Sequence, residues 1–483
     1  MPLYRQRWRA APPRPNLAGA RPGALCGAAR GARAAAPWAA GLAALQALAV
    51  LSLVALAPAR PAAAQPAAQA SVAEPERSDP AQDILIEGLG FSKLILSLEV
   101  DKVLAVAPGY QPLAPLVEKN LCWSGVFNLA GGATRYCHIN GTPGRIDMRL
   151  ALTLEQGKAV ARLYDAGPEQ LVLFQDVVPL DGSAGEEWIM DVVNRMTARI
   201  TGQPGLLGST LAFVLKQPGY AKVVVATTTH GLRLRLLSHN RDINILPRIN
   251  KQGVGMVYTV LGNRGSQVYF ENLSPNDPAA IASYFLTEPG SLNSGGTFSP
   301  DGSQVIVTMS VNQNADLFLF DLRKKVHTQI TSRQGIETQA HWSPDGKQLV
   351  FVSDRSGSPQ IYLMDMDTRE DIRLTFDGVY NADPRWSPDG RSILFTKRVN
   401  DIDQIHIMDP YGENVREVTH GRYTSEQAEW SPDGRQIVFA SNRTGEYKLY
   451  IVSTDGTNLR RLTSSGPGFE ENSPSWTARR LVR

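Results

Sequence analysis

A chain of 483 residues exceeds one ordinary compact domain, and 43% hydrophobic with 20% charged residues is the balance of a folded globular protein. The net charge of +3 is owed to the first 64 residues, which hold eight Arg and no Lys, Asp or Glu, so the chain from Gln65 onward is acidic, at −5. That excludes a nucleic-acid footprint, which needs a basic patch on the folded part.

The Arg-rich opening runs into an apolar stretch from Ala39 to Ala57, followed by Pro58 and Ala62-Ala63-Ala64. This order of basic, apolar and small residues reads as a secretory signal over residues 1–64, cleaved before Gln65. The stretch is also long enough for an uncleaved anchor; the Ala-x-Ala site is what favours cleavage. Cys26 lies upstream of the apolar stretch, so no lipid anchor is assigned. Residues 65–82 are rich in Ala, Pro and acid without periodicity, an expected mobile segment.

Residues 83–203 read as a small α/β domain. Strands are expected at 84–86 and 103–106, a helix over 113–121, and an alternating, half-buried strand over 146–154. Two more strands follow at 159–164 and 171–174. Trp188, Ile189, Val192, Val193, Met196 and Ile200 then form the apolar stripe of an amphipathic helix, which Gly202-Gln-Pro-Gly205 breaks. After the apolar stretch the chain keeps two cysteines, Cys122 and Cys137. In an exported protein this pair can form a disulfide, or it can be two small buried thiols.

From residue 204 onward only strands and turns are read. Trp342-Ser-Pro-Asp-Gly346 returns at Trp386 and Trp430, and Phe298 opens a fourth copy, each 44 residues from the last. A fixed period of this size marks a stacked or radial repeat. Within one period lie four strands: 348–352, 360–365, 371–375, and the one leading into the next aromatic. That is a propeller blade. Ser-Pro-Asp-Gly supplies a tight reversal between first and second strands, and the large aromatic before it can wedge between blades. A calcium reading of these Asp residues fails on ligand number, with one carboxylate per turn. Strands at 211–215, 221–226 and 232–237 lack a first strand, which the segment around Trp476 can supply. The expected fold is therefore two-domain, with an N-terminal α/β domain and an all-β six-bladed propeller (204–483) closed by the C-terminal strand.

The signal, the small α/β domain and the repeated W-S-P-D-G, S-D-R-S-G, I-Y-x-M-D and R-L-T phrases together resemble the TolB family of the Tol-Pal envelope system, from about Asp83 to the end. Residues 84–106 resemble that family's first two strands, and 120–127 its N-x-x-x-S-G-x-F segment, whereas residues 130–145 and the cysteine pair depart from its pattern. The resemblance implies a non-enzymatic periplasmic adaptor without cofactor or metal. It implies binding to the peptidoglycan-associated lipoprotein Pal through one propeller face, and to the inner-membrane protein TolA through the N-terminal segment Asp83, Ile84, Leu85, Ile86 and Glu87. The tight turns lie on one face of such a propeller, which leaves the polar inter-blade loops for the lipoprotein. The candidates there are Leu292 and Gly295; Glu337, Thr338 and Gln339; Asn381 and Asp383; Tyr423, Glu426 and Gln427.

Two enzymatic alternatives can be weighed. A serine oligopeptidase needs a hydrolase domain with G-x-S-x-G, and the sequence has neither. A metal-dependent polysaccharide lyase would place its metal in the propeller channel. The seven His form no metal-binding phrase, though a radial fold could bring His341 and His420 together near the axis.

Overall fold

The computed structural model of the chain describes residues 93–102, 113–130, 145–179, 185–229, 234–274, 276–277, 280–289, 293–311, 314–463 and 465–478. Strand β1 (Leu94–Val100) lies between β2 (Phe127–Leu129) and β3 (Met148–Glu155) and runs parallel to both. Antiparallel β4 (Lys158–Asp165) and β5 (Val172–Pro179) complete the order β2-β1-β3-β4-β5. Helices α1 (Leu113–Trp123) and α2 (Gly185–Thr201) share one core with this sheet, where Val117 and Leu121 meet Ile189, Val192 and Met196 over Leu96, Leu150 and Leu163. Both helices fall where the apolar stripes predict them. The alternating strand starts at Met148 rather than at Ile146, which is 39% exposed. The strands expected at 84–86 and 103–106 lie outside the described residues. Strand β1 was not foreseen, because its apolar residues are nearly continuous, as in a central parallel strand, and carry no alternation.

Gly202 ends α2 in the left-handed conformation, its N–H donating to Ala198 O. The chain then folds back on the helix. Asn194 accepts from Leu207 N at 2.9 Å and donates to Leu207 O at 3.0 Å, clamping the segment that enters the propeller.

Six four-stranded antiparallel sheets follow. From the axis outward, blade 1 is Glu470–Thr477, Thr210–Lys216, Val223–Thr228 and Arg235–Leu236; blade 2 is Ile243–Ile249, Gly255–Gly262, Gly265–Asn272 and Tyr284–Phe285. Blade 3 is Asn293–Phe298, Gln304–Val311, Asn314–Asp321 and Val326–Gln329; blade 4 is Glu337–Trp342, Gln348–Ser353, Gln360–Asp365 and Asp371–Arg373. Blade 5 is Asn381–Trp386, Ile393–Val399, Ile402–Met408 and Arg416–Glu417; blade 6 is Ser425–Trp430, Gln436–Ser441, Lys448–Ser453 and Arg460–Arg461. The C-terminal strand of the sequence is thus the inner strand of the first blade. Its pairing with Thr210–Lys216 closes the ring.

Each period aromatic occupies the gap between its own blade and the preceding one. Trp342 packs with Ile306 and Leu317 of blade 3 and Leu349 of blade 4; Trp430 packs with Leu394 and Ile405 of blade 5 and Ile437 of blade 6. Trp386 and Trp476 repeat this between blades 4 and 5 and between blades 6 and 1. Burying a side chain of this kind stabilises by about 1.5–3 kcal/mol, so the wedges fasten the blades sideways where no strand pairing does.

The reversals behave as the phrase predicts. In blade 4, Ser343 Oγ lies 2.6 Å from Asp345 Oδ1 and accepts from Gln348 N, while Gly346 takes φ 73°. The same set recurs around Ser299, Ser387 and Ser431. Hydrogen bonds from Ser343 and from Lys347 N hold the Asp345 carboxyl below its ordinary range, so each Asp is spent on its own turn.

The α/β domain rests on this turn face at blade 6. Lys93 Nζ lies 3.5 Å from Asp455, Gln436 Nε2 donates to Trp123 O at 3.1 Å, and the Arg460 guanidinium stacks 4.2 Å from the Trp123 ring. The opposite face, where outer strands cross to the next inner strand, carries no such contact among the described residues.

Candidate protein-binding face and axial channel

Every inner strand has the same defect. The pairing register shifts once in each, so that two residues face one on the neighbouring strand. The first of the two sits in the left-handed region: Leu246, Gly295, Gln339, Asp383, Gln427 and Ser473, with φ between 50° and 67°. These are β-bulges, which bend a strand and re-aim its side chains. Each lies three residues before the wedge position, so six bulges form a ring around the axis.

A left-handed backbone costs a non-glycine residue roughly 1–2 kcal/mol, and contacts across the blade gaps offset this. Gln339 Oε1 accepts from Asp383 N at 3.0 Å, Gln427 Oε1 accepts from Ser473 N at 2.8 Å, and Thr259 Oγ1 accepts from Gly295 N at 3.0 Å. In all three the earlier blade receives the N–H of the next.

One residue before each wedge lies a second, lower tier: Arg248, Thr297, His341, Arg385, Glu429 and Ser475. Blades 2 and 5 face each other across the axis, yet Arg248 Nε and Arg385 Nε lie 3.9 and 3.5 Å from the same carboxylate oxygen of Glu429 on blade 6. His341 Nδ1 accepts from Trp386 N at 3.2 Å, which leaves Nε2 to carry the proton of the neutral ring. Burial and the two guanidiniums hold His341 well below its ordinary pKa. Burial and Arg385 likewise push Arg248 down to about 10. Toward the mouth lie Asp383, Asp403 and Glu426, with Arg398 paired to Asp403 at 2.8 Å. Burial, then Asp403 and Asp383, push the Glu426 carboxyl up to about 8.

The predicted site residues separate into three groups. Glu337 and Asn381 begin inner strands and are buried at 0% and 1% exposure. Asn381 Nδ2 donates to Gln360 Oε1, which also accepts from Thr375; Glu337 pairs with Arg355 at 3.2 Å. Asn381 braces blade 5 against blade 4 and Glu337 is held within blade 4 by Arg355, and the loop position expected for both is corrected. Gly295, Thr338, Gln339, Asp383, Glu426 and Gln427 are strand residues as well, and they face the channel or the blade gap. Their polarity suggested loops because the channel they line is itself polar. Only Tyr423 stands on a connector, 39% exposed, with Arg422 over its ring. Leu292 and residues 83–87 lie outside the described residues. Cys122 is buried and disulfide-bonded, and Cys137 lies outside the described residues.

Sequence reasoning reaches the connector between blades 4 and 5 but does not single out its exposed apolar residues, Phe376 at 75% and Val379 at 72% exposure. It also missed Arg248, Arg385 and Glu429, although their constant offset from the wedge was there to be read. His341 lies beside Arg248 and Arg385, whereas His420 is exposed on a connector, so the two do not converge. Among the described residues no three potential metal ligands come together, and no helix is long and apolar enough to cross a membrane.

Two curated relatives are the Tol-Pal system proteins TolB of Helicobacter pylori strains HPAG1 and J99, 24% and 23% identical over 219 and 220 residues, which cover 43% and 44% of this chain. The chain spans about half the length of these relatives, 49% and 50%. A solved structure, TolB from Acinetobacter baumannii, is 26% identical with a TM-score of 0.65, covering 80% of this chain and 96% of that one. The family model described as the TolB beta propeller domain matches residues 197–480, more than half of the sequence, and the chain therefore belongs to the TolB beta propeller family.

Proposed function

We propose that the protein is a periplasmic, non-enzymatic scaffold of the Tol-Pal system that holds the lipoprotein Pal on its connector face and TolA through its N-terminal segment, residues 83–87. In this role it links an outer-membrane lipoprotein to an energised inner-membrane complex, and so supports envelope integrity and constriction at division. The observation that carries the reading is the use of the two propeller faces. The turn face is engaged by the α/β domain through Lys93 and Trp123, while the connector face presents Phe376, Val379 and Tyr423 around a polar mouth. Exposed aromatic and aliphatic residues rimmed by charge are the composition of a protein-binding patch.

The test is capture of Pal from the same organism by the chain from Gln65 onward. Replacing Phe376 and Val379 together by Asp should weaken capture by roughly tenfold or more, the loss expected when interface anchors are removed. Unchanged capture would move the interface off this connector. Replacing Glu337 is unsuitable for this purpose, since it removes a buried brace. Deleting residues 83–87 should abolish TolA binding and leave the circular dichroism spectrum unaltered.

A further inference from the structure

The bulge ring is not uniform. Blades 4 and 6 carry Gln339-Ala340 and Gln427-Ala428 at the two bulge positions, and blades 2, 5 and 1 carry Leu246-Pro247, Asp383-Pro384 and Ser473-Pro474; blade 3 alone has Gly295-Gly296. The missing side chain at Gly295 leaves a cavity lined by Gly295, Thr338, Gln339, Asp383, Arg248 and Arg385, among others, whereas a Cβ at Gly296 would meet Val257 at 2.8 Å. A Cβ added at Gly295 would meet nothing within 4 Å. At one end stand two guanidiniums from opposite blades.

Their charge is only partly answered. Each Arg turns one Nη to carbonyls, Arg248 to Pro247 O and Pro474 O and Arg385 to Pro384 O. Glu429, at 3.5 and 3.9 Å, is one carboxylate against two cations. Arg385 is 4% exposed, and its Nε has no hydrogen-bond partner. A buried N–H left in that state costs about 1–3 kcal/mol, more for a charged group. The other acid on this wall is Asp383, whose carboxyl burial pushes up toward the protonated form while the two guanidiniums oppose it. His341 is neutral and contributes no countercharge.

We infer that this cavity is an anion site, in which Arg248 and Arg385 hold a small oxyanion or the carboxylate of an acidic side chain in the space opened by Gly295. The ligand is either a free ion of the surrounding medium or an Asp or Glu side chain that a bound partner inserts through the mouth. The second source rests on the scaffold reading above; the first does not.

Inorganic phosphate is the probe, titrated calorimetrically into the chain from Gln65 onward at constant ionic strength. One phosphate should bind per chain. Arg385→Gln and Arg248→Gln should each weaken it roughly tenfold or more, the usual worth of a charge-assisted hydrogen bond. Glu429→Gln should tighten it, because the internal competitor is gone. Gly295→Gln should abolish it by filling the cavity with both guanidiniums kept, and its fold is safeguarded by Gln339 and Gln427, which hold the same backbone conformation in other blades. If an Arg variant fails to fold, Gly295→Gln decides. Absence of saturable binding, or binding equal in wild type and Gly295→Gln, would overturn the inference. In a parallel arm, phosphate that competes with Pal capture identifies the partner's carboxylate as occupant, and phosphate without effect on capture identifies the free ion. Failure of Pal capture alone would count against the scaffold reading and leave the phosphate result standing.

Discussion

At the scale of single residues, the channel wall places strain and its relief on the same side chain. Gln427 holds a left-handed backbone, φ 54°, and accepts from both the backbone N and Oγ of Ser473. Gln427→Ala keeps the strain and loses the bonds, and should cost about 1–2 kcal/mol in urea unfolding. Gln427→Gly loses the same bonds and releases the strain, so it should recover roughly 1 kcal/mol relative to the Ala variant. If Ala and Gly prove equal, the backbone is not strained there. Glu426 sets a pH dependence. Its folded pKa of about 8 lies above the ordinary 4.5, so the folded state binds the proton more tightly than the unfolded one. This contribution is therefore complete below about pH 4.5 and is lost as pH rises through about 8. Glu426→Gln should flatten the fall in urea midpoint between pH 5 and pH 9 and make the variant more stable than wild type at the alkaline end.

At the scale of elements, the blade is a strand quartet whose lateral apolar packing centres on one aromatic. Trp430 is 3% exposed and donates through Nε1 to Arg385 O at 3.0 Å on the neighbouring blade. Trp430→Ala should cost about 3–5 kcal/mol in chemical unfolding, as large-to-small core changes do, whereas Trp430→Phe should retain most of the packing. A loss below 1 kcal/mol for the Ala variant would deny the wedge its role. This element was legible because turn chemistry and the wedge are local: five residues and a period of 44 state them. The braces were half legible. Gln360, Thr375 and Asn381 stand in recurring phrases, yet only the fold brings residues of two strands and a connector to one oxygen. The channel was the least legible part. A strand facing a polar axis has the composition of a loop, so Gln339, Asp383 and Gln427 were placed on connectors.

At the scale of the whole molecule, closure depends on two stretches at opposite ends of the propeller sequence. Glu470–Thr477 pairs with Thr210–Lys216, and Trp476 Nε1 donates to Ser209 Oγ at 2.8 Å. A chain ending before Glu470 would leave blade 1 without its inner strand and the gap between blades 6 and 1 without its wedge, Trp476. It should lose the single cooperative transition in calorimetry and bind a dye for exposed apolar surface; a truncated form melting like the intact one would show that the ring closes otherwise. The wedges also have an optical consequence. Four of the six gaps hold tryptophan, while the gaps on either side of blade 2 hold Ile249 and Phe298 instead. Within the propeller, tryptophan emission is thus a gauge fitted to part of the ring, sensitive to blades 3 through 6 and the closing seam and dark across the arc beside Gly295, while Trp123 and Trp188 report on the α/β domain.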